Sequence, residues 1–150
     1  MKHFEALNEA PGHMIRRLHQ IAVAAFAREV NGHDITPVQF GLLHVLVQSP
    51  GLDQVTLAKR VALDAATSGS VISRLEAKGW IERSADRKDR RRKLLMATPQ
   101  GKAMLERISE SVNLAQRRML EPLSPAQRSQ FMQLLIQLVR THECAGDHAD

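Results

Sequence analysis

Between Glu82 and Lys93 the chain sets seven basic side chains, Arg83, Arg87, Lys88, Arg90, Arg91, Arg92 and Lys93, against three acidic ones, Glu82, Asp86 and Asp89. Cations at that density neutralise phosphates, and an arginine-rich loop can enter a narrow minor groove, where negative potential is concentrated. A charged run alone is equally a solvated surface. What precedes it changes the reading. Ala66, Thr67, Ser68, Gly69 and Ser70, then Ser73 and Arg74, stand opposite Val71, Ile72 and Leu75 at helical spacing. Small hydroxyl and methyl groups suit a major groove, where hydroxyls reach phosphates and base edges and methyls meet a thymine methyl. Arg74, one turn beyond Ser70, can reach a phosphate or a guanine edge. An ordinary serine-rich amphipathic helix shares this pattern, but such a helix followed at once by a basic hairpin is a more specific signal for double-stranded DNA. Asp86 and Asp89 are expected to hold neighbouring guanidiniums by charge-assisted hydrogen bonds.

The elements that must carry these residues follow from periodicity and caps. A first helix is expected over Pro11–Val30, with Met14, Leu18, Ile21 and Ala25 on one face and Asn31-Gly32 as its stop. Thr36-Pro37 starts a second, Pro37–Gln48. Gln54–Val61 and Ala65–Lys78, joined by Ala62-Leu63-Asp64, have the lengths of a helix-turn-helix, with Asp64 as N-cap and Gly79 as terminator. The period then changes. Trp80–Arg83 and Lys93–Ala97 form a hairpin around the basic tip, a wing spanning Glu82–Lys93. Thr98-Pro99 opens a long helix to about Leu120, and Ser124-Pro125 a last one to about His142. The fold class expected is mainly α with one small β-hairpin wing: a winged helix-turn-helix framed by long N- and C-terminal dimerisation helices. Residues 36–97 form the DNA-binding lobe, 11–31 and 99–142 the dimerisation helices, and 143–150 a flexible tail. The apolar stripes of the terminal helices exceed what one small lobe buries, and a second copy is the simplest partner.

Composition agrees. The 150 residues are 43% hydrophobic and 25% charged, but only 3% aromatic, which favours helix packing over a β-sandwich. The wing holds +4 of the formal +5, and the isoelectric point is about 10.0. No apolar run approaches the roughly 20 residues of a membrane span, and Glu5, Asn8, Glu9 and Pro11 interrupt any secretory core. A cytoplasmic protein is expected.

The run from Leu63 to Ile81, Leu63-Asp64-Ala65-Ala66-Thr67-Ser68-Gly69-Ser70-Val71-Ile72-Ser73-Arg74-Leu75-Glu76-Ala77-Lys78-Gly79-Trp80-Ile81, resembles the recognition-helix signature of MarR-type transcriptional regulators. Asp86-Arg87-Lys88-Asp89-Arg90-Arg91-Arg92-Lys93-Leu94 and Ala97-Thr98-Pro99-Gln100-Gly101 resemble that family's wing and the start of its next helix. The resemblance implies a homodimer on a pseudo-palindromic operator, with recognition helices in major grooves and wings in adjacent minor grooves. Asp89 and Arg90 fall on the family's wing-tip Asp-Arg, with Arg90 or Arg91 as the minor-groove finger. Ala65 departs from the pattern, since many relatives carry a polar or basic residue there. Trp80 replaces an aliphatic residue and is expected to pack beneath the wing. The resemblance also implies a small aromatic carboxylate or phenolic effector. Its wall would include His13, Arg16, Arg17, His19, Gln39, Phe40 and His44, and Arg16, Arg17 and His19 look most like members governing aromatic or heteroaromatic acid catabolism. Release of a repressor by such an effector is the regulation implied.

Other classes have less behind them. His13, His19 and His44 lack the spacing of a helical ligand pair, so no metal or other cofactor is expected. The single Cys144 lies near Glu143 and Asp147, which disfavours a thiolate. No nucleophile elbow, phosphate-binding glycine loop or zinc motif points to catalysis, and no catalytic residue is assigned. The alternative is an effector-blind architectural DNA-binding protein.

Overall fold

A computed structural model describes residues 7–146. Its helices begin where short polar side chains satisfy the free N–H groups of a first turn. After a short 3-10 turn at Leu7–Glu9, helix α1 runs Pro11–Glu29 and α2 Pro37–Gln48. Thr36 and Gln39 close a capping box, each side chain bonding the other's backbone N–H at 3.2 Å. Helix α3 (Gln54–Arg60) is capped by Asp53, whose carboxylate accepts from Thr56 N at 2.8 Å. Helix α4 (Ala65–Ala77) is capped in the same way by Asp64, from Thr67 N at 2.8 Å. Gly79, at φ +71°, ends α4: its N–H reaches the Glu76 carbonyl at 2.8 Å, and Trp80 N–H reaches that of Leu75 at 3.0 Å. Strands β1 (Ile81–Ala85) and β2 (Lys93–Ala97) pair antiparallel, with Ile81 opposite Ala97 and Ala85 opposite Lys93. Leu52 adds an isolated bridge to Leu95, a third strip of sheet that periodicity does not reveal. Helices α5 (Pro99–Met119) and α6 (Pro125–Gly146) complete the described chain.

The expected boundaries hold within a residue or two except at the end. Helix α6 continues past His142 to Gly146, so Glu143 and Cys144 are helical rather than part of a tail. Residues 147–150 of the expected tail lie outside the described residues.

Two apolar cores result. The larger joins Leu42, Leu43 and Leu46 of α2 to Leu57 of α3, Ile72 and Leu75 of α4, Ile81 and Leu95 of the hairpin, and Leu105 of α5. A smaller one, Phe26, Val30, Ile108 and Val112, ties α1 to α5. Phe40 packs against both. The α5 start is tight: a Cβ on Gly101 would sit 2.2 Å from the Trp80 carbonyl oxygen. Helix α6 contains no buried residue, and Met132, Leu134, Ile136, Leu138 and Val139 are each 42–54% exposed. Met14, Ile15 and Ile21 of α1 are similarly bare. No helix among the described residues is long and apolar enough to cross a membrane.

Gly101→Ala is expected to destabilise the fold by about 2–3 kcal/mol, as overpacking against backbone does. Thermal unfolding of the two proteins measures this, and an unchanged midpoint would refute the close packing of α5 against the Trp80 backbone.

Candidate nucleic-acid interface

Helix α4 turns Ile72 and Leu75 into the larger core, which sends Ala66, Thr67, Ser70, Ser73 and Arg74 outward. All five are exposed. Thr67 is committed in part, because its hydroxyl donates to Asp64 Oδ2 at 2.6 Å. That bond and the Thr67 N–H hold the Asp64 carboxyl below the usual carboxylate range. Gly69 is half-buried where α3 crosses, and a Cβ there would meet Gln54 Nε2 at 3.4 Å.

Ser68 departs from the expectation. It is buried and its hydroxyl donates back to the Ala65 carbonyl at 2.9 Å, so it faces the core and not a groove. The signal was present in its spacing. Ser68 stands four residues before Ile72 and seven before Leu75, on the stripe that helical periodicity buries.

The wing's cations divide into two groups. Arg92 pairs with Asp53, and Arg83 pairs with Glu76 at 2.9 Å while its second nitrogen reaches Gln54 Oε1 at 3.4 Å. Both arginines are therefore tied to the helix-turn-helix: Arg92 to the cap of α3, Arg83 to α3 and α4. Arg87, Lys88, Arg90, Arg91 and Lys93 are exposed, and none joins an ion pair among the described residues. The aspartates of the tip act differently from the expectation. Asp86 accepts the backbone N–H of Lys88 at 2.9 Å and Asp89 that of Arg91 at 3.0 Å. Both are turn-forming bonds of short polar side chains to nearby backbone. They shape the loop, whereas Asp53 and Glu76 hold the guanidiniums.

Asp53, Glu76 and Gln54 are the residues that the sequence reading missed. Asp53 performs two jobs with one carboxylate. The Thr56 backbone N–H, then the Arg92 guanidinium, lower its pKa from 3.8 to about 2. Arg92 is raised reciprocally by Asp53. Arg92 stands 39 residues away, a separation that no local pattern spans. Trp80 is half-buried at the wing's base as expected, with the Lys78 ammonium 4.7 Å from its ring centroid.

The expected effector wall is dispersed. Gln39 is buried, and its side-chain oxygen serves the α2 capping box and Lys78 Nζ at 3.3 Å, so it is a structural residue here. Phe40 lies between the Phe26 ring, 6.0 Å away, and the His44 ring, stacked at 5.6 Å. His44 is exposed and bonds Gln48 at 3.0 Å. On α1, His13 is half-buried while Arg16, Arg17 and His19 are exposed, with Arg17 3.5 Å from the Asn8 side chain. A shallow apolar depression lies elsewhere, between α1 and α5, lined by Ile21, Ala24, Ala25, Arg28, Arg118 and Met119.

Asp53→Asn separates the two jobs, since asparagine also caps helices but carries no charge. The native carboxylate has the lower pKa, so its stabilisation is complete above about pH 4 and is lost as pH falls toward about 2. Nuclear magnetic resonance of the Arg92 Nη2 protons should show release of the guanidinium across that window in the wild type. The variant should show it released already at neutral pH. An unchanged Arg92 signal in the variant would contradict the tether.

Comparison with known proteins bears on this surface. Residues 33–92 match the profile of the MarR family. A Thauera aromatica protein named for regulation of the hcr operon is 35% identical over 130 residues, covering 86% of this chain and 78% of the relative. The structure of BpsR from Bordetella bronchiseptica, whose DNA binding is described as regulated by 6-hydroxynicotinic acid, superposes with a TM-score of 0.85 at 32% identity. That alignment covers 93% of this chain and 97% of the other. The PcaV transcriptional regulator from Streptomyces coelicolor, solved with its natural ligand, gives 0.84 at 32% identity over 93% and 98%.

Proposed function

Because the chain belongs to the MarR family, and is a DNA-binding transcriptional regulator rather than an enzyme, we propose that it is a homodimeric repressor. On this reading it binds a pseudo-palindromic operator and is released by a small aromatic carboxylate or phenolic effector. The observation that carries the reading is the locked pair of surfaces. The exposed hydroxyl and methyl face of α4 and the unpaired wing cations belong to elements joined by the Arg83–Glu76 ion pair, while Arg92–Asp53 ties the wing to the cap of α3. In this reading α4 enters the major groove with Ala66, Thr67, Gly69, Ser70, Ser73 and Arg74, and the wing enters the minor groove with Arg90 or Arg91. Arg87, Lys88 and Lys93 flank the phosphates. Operator occupancy blocks a promoter, which is repression.

The dimer is supported by helices α1 and α6, whose apolar residues one chain leaves in water. Residues 11–31 and 99–142 would supply the interface, and 36–97 the DNA lobe. A two-fold axis converts one reading head into two half-sites, hence an inverted repeat. The effector class is supported by BpsR, whose DNA binding is described as regulated by 6-hydroxynicotinic acid, and ligand control in general by the ligand-bound PcaV. Arg16, Arg17, His19 and His44 are exposed, and guanidinium and imidazole groups suit a carboxylate and a ring hydroxyl. Its place of action is the cytoplasm, with DNA.

Arg90→Ala should weaken binding to selected and random duplexes by similar factors and lower the slope of log affinity against log salt by about 0.9. Filter binding across a salt series reads both. An unchanged slope and affinity would remove the wing from the interface. Ser70→Ala and Arg74→Ala should instead reduce discrimination, by about 1–3 kcal/mol for a lost base contact. Equal losses on selected and random duplexes would reassign α4. Light scattering at micromolar concentration should return twice the 16.8 kDa chain mass. Thermal shift against aromatic acids, 6-hydroxynicotinic acid among them, tests the effector class. A selected duplex that no such acid displaces would favour the architectural alternative.

A further inference from the structure

The chain has two apolar cores, which share helix α5 and the Phe40 ring, and a polar contact joins them at a second place. One contains the recognition helix and wing; the other binds α1 to α5 through Phe26, Val30, Ile108 and Val112. The turn between α1 and α2 belongs to the second core, because Val30 is buried there and Ile35 packs against it. Lys78, the C-cap of the recognition helix, crosses between them. Its ammonium lies 3.1 Å from Asp34 Oδ2, donates to the Asp34 backbone carbonyl, and reaches Gln39 Oε1 at 3.3 Å. The Trp80 ring covers its other side at 4.7 Å. Asp34 holds φ +45°, an unusual conformation for a residue with a side chain, and it brings carbonyl and carboxylate to the same ammonium. The carboxylate is nearly fully exposed, so its charge adds little. Specificity of position comes from the three acceptors and the ring together.

We infer that Lys78 is the positioning residue through which the α1–α2 turn sets the orientation of the recognition helix, so that the turn and DNA occupancy are thermodynamically linked. The argument rests on the DNA-binding reading of α4 but not on any effector. The linkage is reciprocal. If the turn biases the helix, DNA that selects one helix orientation must alter the turn.

The test compares wild type, Lys78→Met and Lys78→Arg as full-length proteins. Affinity is measured across salt for a duplex that the wild type selects from a random-sequence pool, and for an unselected duplex. Backbone amide exchange over residues 31–36 is measured with and without each duplex. Lys78→Met should lose about tenfold on the selected duplex and under about twofold on the unselected one, with an unchanged salt slope. Duplex binding should alter exchange over 31–36 in the wild type and in Lys78→Arg but not in Lys78→Met. Equal loss on both duplexes would overturn the inference. So would a slope smaller by about 0.9, which marks a phosphate contact, or a duplex effect on the turn that survives in Lys78→Met. If Lys78→Met does not fold, Asp34→Gly removes one acceptor while suiting the left-handed backbone, and should shift discrimination in the same direction. If no preferred duplex emerges from selection, the operator reading fails, and exchange with the unselected duplex still decides the role of Lys78.

Discussion

Burial of Leu95 and Ile81 beside Ile72 and Leu75 is the interaction on which the DNA-facing surface depends. Leu95 is fully enclosed, and so are Ile72 and Leu75. Each such side chain contributes about 1.5–3 kcal/mol on leaving water. The strand alternation that sends Leu95 inward leaves Met96 exposed on the other face. The recognition helix and the wing are therefore two projections of one packed core. The ion pairs of Arg83 and Arg92 refine an arrangement that apolar packing has already imposed, since exposed pairs alone contribute little.

A second consequence is that the protein is built of parts with different requirements. The larger core gathers eight buried residues from α2 to β2 and is completed by Leu105 of α5. The α1 and α5 pair has a smaller core, and α6 has none. Helices in that condition take their stability from tertiary contact rather than from intrinsic propensity. In the proposed dimer a second chain would supply that contact to the apolar stripes of α1 and α6.

Local chemistry made most of the fold legible. Thr36, Asp64, Thr98 and Ser124 mark helix starts because a cap is decided within four residues, and Gly79 marks a stop for the same reason. The change from helical to extended spacing after Gly79 located the hairpin. What stayed hidden is non-local or doubly determined. The Asp53–Arg92 pair and the Leu52–Leu95 bridge join elements far apart along the chain, and the Glu76–Arg83 pair depends on how β1 folds back on α4. Residue type places Ser68 outward, as polar, and the family resemblance places Gln39 in an effector wall. Their positions, one on a buried stripe and one at the third residue of a capping box, carried the opposite message.

The tethering of Arg83 and Arg92 also bears on how quickly such a protein finds a site. A basic loop with all seven cations free would displace more counterions from any duplex it met and would dwell longer on each wrong one. In the proposed complex, two guanidiniums already satisfied by Asp53 and Glu76 would displace fewer counterions, which would shorten residence on arbitrary DNA. The clasp at the base of the wing would then exchange grip for mobility along a duplex.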